Sequence, residues 1–271
     1  MSNCNSCPSN GECGKEEEKC GIQNNPSNKI KNIIAVMSGK GGVGKSTMSV
    51  MLARQLVQRG YSVGILDADI TGPSIPRLLH IEEQRAMGTE KLIFPVESSE
   101  GIKVMSLNLV VEKEDEAVIW RGPAIVSVVN QFWTGVYWGE LDYLIIDMPP
   151  GTSDITLTIM QSFPIYELVV VSTPQDMVSM IVKKVVSMAE KMNIKIKGLI
   201  ENMAYIVCTD CDKKLKVFSN KSSEEHAEYL GLPLLGELPI NLELTEAVNE
   251  GRAEEYIKDN SLYSLIFEGL Y

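Results

Sequence analysis

Ser38-Gly39-Lys40-Gly41-Gly42-Val43-Gly44-Lys45-Ser46-Thr47 is the stretch that decides the fold. An apolar run, Ile33-Ile34-Ala35-Val36-Met37, precedes it and a helical pattern follows. That is the strand–loop–helix setting a phosphate-binding loop requires. Glycines at 39, 41, 42 and 44 let backbone N–H groups close around a phosphate where side chains would block them. The next helix adds its unpaired N–H groups and the positive end of its dipole. Lys45 can reach the β- and γ-phosphates, and Ser46 can offer a hydroxyl to Mg²⁺. The motif predicts a nucleoside triphosphate site whose loop carries an extra lysine, Lys40.

At 271 residues the chain is long enough for one large α/β domain with a substantial core. Its net charge of −11, from 25 basic and 36 acidic residues, repels nucleic acid and anionic lipid. No partner of either kind is expected. No apolar run reaches membrane-spanning length and the first thirty residues are polar, so the expected location is the cytoplasm. Six cysteines in such a reducing compartment point to metal ligation or thiol chemistry rather than structural disulfides.

Residues 1–28 are rich in Cys, Asn, Ser, Gly and Glu and poor in apolar side chains, which marks a flexible segment without its own core. The ATPase domain is expected from 29 to 271. Within it, short apolar runs at 32–38, 62–67, 102–108, 143–148, 167–172, 197–202 and 234–237 read as strands. Amphipathic stretches at 46–59, 123–133, 176–192, 222–230 and 242–251 read as helices. The strands are nearly continuous apolar runs, as parallel strands covered on both faces require. The predicted fold is a doubly wound, mostly parallel sheet flanked by helices, with ligands bound at the carboxyl ends of its strands.

Two such ends are acidic. Ile65-Leu66-Asp67-Ala68-Asp69 closes the second strand, and Leu144-Ile145-Ile146-Asp147-Met148-Pro149-Pro150-Gly151 closes a later one. Asp147 is assigned to hold Mg²⁺ through water, and Asp69 to orient the attacking water. An ordinary strand-end turn residue is the bland alternative for each. The guanine-reading N-K-x-D pattern is absent, which favours ATP over GTP.

Cys208 and Cys211 form one C-x2-C pair. Two thiolates half-coordinate a tetrahedral metal or a four-iron cluster, and a symmetric homodimer would supply the other two. A redox dithiol and a shared zinc are the alternatives. The tail holds Cys4, Cys7, Cys13 and Cys20, four thiols that suit one iron–sulfur cluster or one zinc.

With these residues assembled, the chain resembles the Mrp family of P-loop iron–sulfur cluster carrier ATPases, relatives of the Nbp-type scaffolds. The loop alone is shared with MinD, ParA and the nitrogenase iron protein. Several stretches are more specific: Asp67-Ala68-Asp69-Ile70-Thr71-Gly72-Pro73-Ser74, Trp120-Arg121-Gly122-Pro123, Asp147-Met148-Pro149-Pro150-Gly151-Thr152-Ser153-Asp154, and Glu201-Asn202-Met203-Ala204-Tyr205 leading into the cysteine pair. The resemblance implies that Lys40 reaches a partner subunit's nucleotide, Thr47 touches the α-phosphate and Asn202 lies against the adenine. It further implies that Cys208 and Cys211 bridge a labile [4Fe–4S] cluster between two subunits. The cluster would come from donor proteins and pass to apo iron–sulfur recipients. The tail resembles the Nbp-type cluster motif, with Cys20 standing in for a cysteine that motif carries upstream.

Trp133, Trp138 and the methionines read as packing, and neither His80 nor His226 receives any chemistry. The segment 262–271 reads as a docked helix. Against the carrier stand two other functions. A positioning ATPase would leave every cysteine unexplained, and an electron-donating reductase would keep its cluster fixed.

Overall fold

The computed structural model describes residues 25–70, 72–89, 92–111 and 122–250, with single positions at 252, 256, 263, 266 and 267. Cys4, Cys7, Cys13 and Cys20 lie outside the described residues, as do Thr71, Trp120 and Arg121. The elements begin with β1 (Lys29–Ser38), α1 (Lys45–Gln58), β2 (Val63–Asp67), α2 (Ile75–Leu78), β3 (Met87–Gly88), β4 (Ile93–Phe94), β5 (Val96–Glu97) and β6 (Lys103–Met105). There follow α3 (Gly122–Gly135), β7 (Glu140–Asp147), α4 (Asp154–Ser162), β8 (Glu167–Ser172), α5 (Asp176–Lys191) and β9 (Lys195–Val207). β10 (Lys214–Leu215), α6 (Ser223–Leu230), β11 (Leu234–Pro239) and α7 (Leu242–Asn249) complete the set.

β1 lies at the centre of the sheet, in the order β9-β8-β1-β7-β2-β6, and all of these pairs are parallel. β11 joins β9 in parallel, while β5 and β10 add antiparallel edges. Because side chains alternate across a strand, β1 feeds two cores. Ile33, Ala35 and Met37 face one layer with Trp133, Trp138, Phe163 and Val182. Ile34 and Val36 face the other, with Met51, Leu52 and Leu56 of α1. Helices cover both faces, as expected for a doubly wound sheet.

The predicted strands and helices are present, with differences at their margins. The run 102–108 is a strand only over Lys103–Met105 and then turns into a 3-10 helix at Leu107–Leu109. α4 was not anticipated; Ser153 caps it by accepting from the Thr156 N–H. Ser222 and Glu225 form a reciprocal capping box at α6, and Gly231 ends that helix at φ 70°. The tail joins the body slightly before residue 29: Asn28 Oδ1 accepts from the N–H groups of Trp138 and Gly139. Trp133 and Trp138 are buried, and Trp133 stacks on Phe163 at 4.6 Å. Of the segment 262–271, only Tyr263, Ile266 and Phe267 are described, and all three are buried.

Gly198 lets β9 pass close to the turn before β11. A Cβ there would lie 2.6 Å from the Pro233 carbonyl oxygen and 2.7 Å from Leu235 Cγ. We expect Gly198→Ala to destabilise the protein by about 1–3 kcal/mol through overpacking. Urea unfolding checks this, and an unchanged midpoint would contradict it.

Candidate functional site

The loop after β1 lies at the carboxyl edge of the sheet, where ligands bind in folds of this kind. Gly42 and Gly44 sit at φ 78° and 86°, a region that β-carbons disfavour. A Cβ on Gly41 or Gly42 would meet nothing within 4 Å, whereas one on Gly44 would collide with Asn202 Nδ2. Gly39 is packed instead against Val182 of α5. Gly44 is the N-cap of α1 and provides no side-chain cap. The first amides of α1 are therefore left for an anion.

Three donors of α1 converge on Asp147 at the end of β7. Lys45 Nζ donates to Asp147 Oδ2 at 2.7 Å, and Ser46 Oγ donates to the same oxygen at 2.6 Å. Ser49 Oγ donates to Asp147 Oδ1 at 2.7 Å. Lys45 Nζ also lies 3.7 Å from Asp69 Oδ2. The Ser46 hydroxyl and the Asp147 carboxylate thus stand side by side, an all-oxygen set of the kind that suits Mg²⁺. Gly151 approaches the same loop, donating its N–H to the Ser38 carbonyl at 2.8 Å.

Sheet register places Asp67 beside Asp147 on neighbouring strands. Asp67 is buried, and burial together with the Asp147 charge pushes its carboxyl up to about 8, against the opposing pull of Lys45. Ser106 Oγ, 3.1 Å away, bonds its Oδ2, and the Asp69 N–H donates to its Oδ1. Sequence reading treated Asp67 only as part of a motif. The signal for its unusual state is the parallel pairing of two acidic strand ends, which needs the register.

Lys40 Nζ donates to Gln175 Oε1 at 2.6 Å, in the turn before α5. Asn202 Nδ2 donates to the Val43 carbonyl at 2.9 Å, so β9 touches the loop directly. Beside it opens a cavity of about 240 Å³, bounded by Gly44, Thr47, Asn202, Pro239, Asn241 and Tyr263. Its walls mix apolar surface with amide and hydroxyl groups, which suits a planar heterocyclic base. The β11–α7 side of this cavity was missed from sequence because Pro239 and Asn241 carry no motif.

The fold sets Lys45, Ser46, Asp69 and Asp147 against one another and Asn202 against the adjoining loop; the cysteine pair is elsewhere. β9 continues past Asn202 and ends beside Cys208, and Cys211 lies in the turn to β10. The Asp210 N–H donates toward Cys208 Sγ and holds its thiol below the usual cysteine value, helped by the thiol and N–H of Cys211. A lowered thiol presents more of the thiolate that binds metal. His226, given no role from sequence, is buried between Glu201 and Ser179: Nδ1 lies 2.9 Å from Glu201 Oε1, and Nε2 lies 2.5 Å from Ser179 Oγ.

The state of Asp67 is measurable. A carboxyl raised from about 4 to about 8 on folding binds its proton more tightly in the native state. Stability is therefore greatest below the unfolded value and falls as pH rises through 5 to 8. We expect Asp67→Asn to lose that component of the slope. Denaturation at pH 5.5 and 8.5 compares the two proteins, and equal slopes would mean that Asp67 is already ionised when folded.

The chain is 59% identical, over the full length of both, to a protein of Clostridium perfringens named iron-sulfur cluster carrier protein. A nucleotide-binding protein of Archaeoglobus fulgidus, solved in complex with ADP, is 40% identical with a TM-score of 0.72, covering 84% of this chain and 89% of that one. The MinC:MinD cell division complex of Aquifex aeolicus contains a chain that shares the fold at 20% identity and a TM-score of 0.63, covering 88% of this chain and 93% of that one. The model of the ParA family, described as the NUBPL iron-transfer P-loop NTPase, matches residues 29–270, and the chain belongs to that family.

Proposed function

We propose that the protein is an ATP-dependent carrier that holds a labile [4Fe–4S] cluster between two copies of the chain and passes it to apo-proteins. The observation that carries this reading is the cysteine pair on an arm continuous with the strand that touches the phosphate loop. Two thiols in an exposed turn form half of a four-thiolate set, and a two-fold axis supplies the other half. The carrier names of the relatives support the cargo, and the ADP-bound neighbour supports an adenine nucleotide.

In this reading the backbone from Gly39 to Gly44 cradles the phosphates. Thr47 lies at the α-phosphate, and Asn202 borders the base. Lys45 exchanges its bond to Asp147 for one to the phosphates, since a polyanion outcompetes a single carboxylate. Ser46, and Asp147 through water, would hold Mg²⁺, which supplies charge neutralisation at the phosphates. Asp69 orients water from the edge of β2. Lys40 leaves the neutral Gln175 amide to reach the partner's nucleotide. Hydrolysis is slow, because no arginine finger stands at the site among the described residues. The loop and the cysteine arm are linked through Asn202, so a shift of Val43 is felt on β9, about six residues before Cys208.

Anaerobic reconstitution of the full chain tests the cargo. We expect about two irons and two sulfides per chain at the arm, lost in Cys208→Ser/Cys211→Ser. Zinc without sulfide would overturn the carrier reading; four further irons surviving in the double variant would belong to the N-terminal cysteines. The coupling has its own test: Lys45→Ala should abolish both ATP binding and nucleotide-dependent delivery, and normal delivery by that variant would refute it.

A further inference from the structure

The arm that presents the cysteines has a surface of its own. β9 pairs with β8 as far as Glu201 and with β11 as far as Tyr205. Beyond that, among the described residues, it pairs only with β10, through Ile206 with Leu215 and Val207 with Lys214. Opposed residues share a face of a hairpin. One face therefore carries Ile206 and Leu215, and the other carries Val207 and Lys214. Ile206, Val207, Leu215, Val217 and Phe218 are 38–51% exposed. A hairpin whose two faces both met only water would carry polar side chains on each, so this apolar grouping marks a contact surface.

Its charge is equally unusual. The stretch 213–221 contains four lysines, Lys213, Lys214, Lys216 and Lys221, and none of the 36 acidic residues of a chain with net charge −11. All four are exposed. Lys214 reaches back to Glu237 at 2.8 Å and Lys216 Nζ donates to the Lys221 carbonyl at 2.8 Å, whereas the Lys213 carbonyl accepts from the Cys208 N–H, which sets that lysine beside the cysteines. A second copy of this chain is a poor occupant for that strip. A two-fold axis sets a surface against itself, and lysines would meet lysines. The second copy fits at the cysteine tip and leaves the basic, apolar flank for another molecule.

We propose that the arm is the docking surface for recipient proteins, and that it selects an acidic segment flanked by apolar side chains next to the recipient's cysteines. This inference rests on the carrier reading above. Acidic recipients would be repelled by most of this molecule, so the local basic strip orients their approach toward the thiols. Transfer then proceeds by ligand exchange. Each recipient thiolate that bonds iron displaces one from Cys208 or Cys211, and the proton released by the recipient thiol returns to the freed cysteine. Iron and sulfide keep their oxidation states throughout.

Two synthetic peptides of equal length, each with four cysteines, test the selectivity. One carries glutamates and leucines around the cysteines, the other lysines and serines. The cluster-loaded full-length protein is mixed with each, and transfer is followed by the cluster's visible absorbance. At low salt we expect the acidic peptide to be loaded about tenfold faster, with the preference fading at high salt. Lys213→Glu/Lys216→Glu should abolish the preference while iron per chain stays unchanged. Val217→Ser/Phe218→Ser should slow loading of the acidic peptide at both salt concentrations. Equal rates for the two peptides, or a preference that survives charge reversal, would overturn the proposal. So would charge reversal that splits the dimer yet leaves the preference intact, since the strip would then be a subunit contact. An unmodified protein that binds no iron would remove the carrier reading itself, which is visible before any peptide is added.

Discussion

The carboxylate of Asp147 is the point on which the arrangement turns. It is fully buried, and a carboxylate out of water is tolerated only when donors surround it. Lys45, Ser46 and Ser49 meet that need from one side of α1. The helix is thereby fastened to the end of β7, and the loop that precedes it is fixed over the same edge. β7 pairs with β1 on one side and β2 on the other, so the acidic end of β2 is drawn to the same place. Asp67 then faces a like charge in a dry environment, which pushes its carboxyl up, while Asp69 stays within reach of Lys45.

A second constraint ties the nucleotide edge to the cysteines. Gly44 has no Cβ because Asn202 occupies the space one would take, and Asn202 also holds the Val43 carbonyl. The next residue, Met203, is held at φ 57°, a left-handed conformation that costs a β-carbon residue about 1 kcal/mol or more. β9 therefore leaves the loop through a strained position before it reaches the arm. Behind it, His226 of α6 joins Glu201 of β9 to Ser179 of α5, while Lys40 is held by Gln175 in the turn before α5. One Glu201 oxygen, Oε2, is buried without a hydrogen-bond partner. An apolar contact would be less costly there, so this polar chain serves to set how α5, α6 and β9 sit together. The helix that follows the cysteine arm is thus connected, through α5, to the turn that holds Lys40.

Much of this was legible in the chain itself. The glycine spacing, the continuous apolar strands and the strand-end aspartates are local patterns, and each reports a local requirement: positive φ at Gly42 and Gly44, burial on two faces, and a turn at a strand end. The C-x2-C pair is equally local, and the structure sets its two free thiols just past the end of β9. By contrast, α4 was overlooked because Pro149, Pro150 and Gly151 mask the start of a short helix that Ser153 caps. The strand at 197–202 was read too short, since its continuation through Met203 to Val207 breaks the burial pattern as it leaves the sheet.

What the sequence determined alone was the class of fold, the phosphate loop and the cysteine pair, because those depend on the identity and spacing of neighbours along the chain. Only the tertiary structure decided that Asp67 stands against Asp147, that His226 bridges two helices' worth of packing to Glu201, and that Pro239 and Asn241 wall the cavity beside Asn202. These residues are remote in sequence and carry no periodic signal. Sheet register and the burial of charge bring them together, and both are properties of the assembled chain.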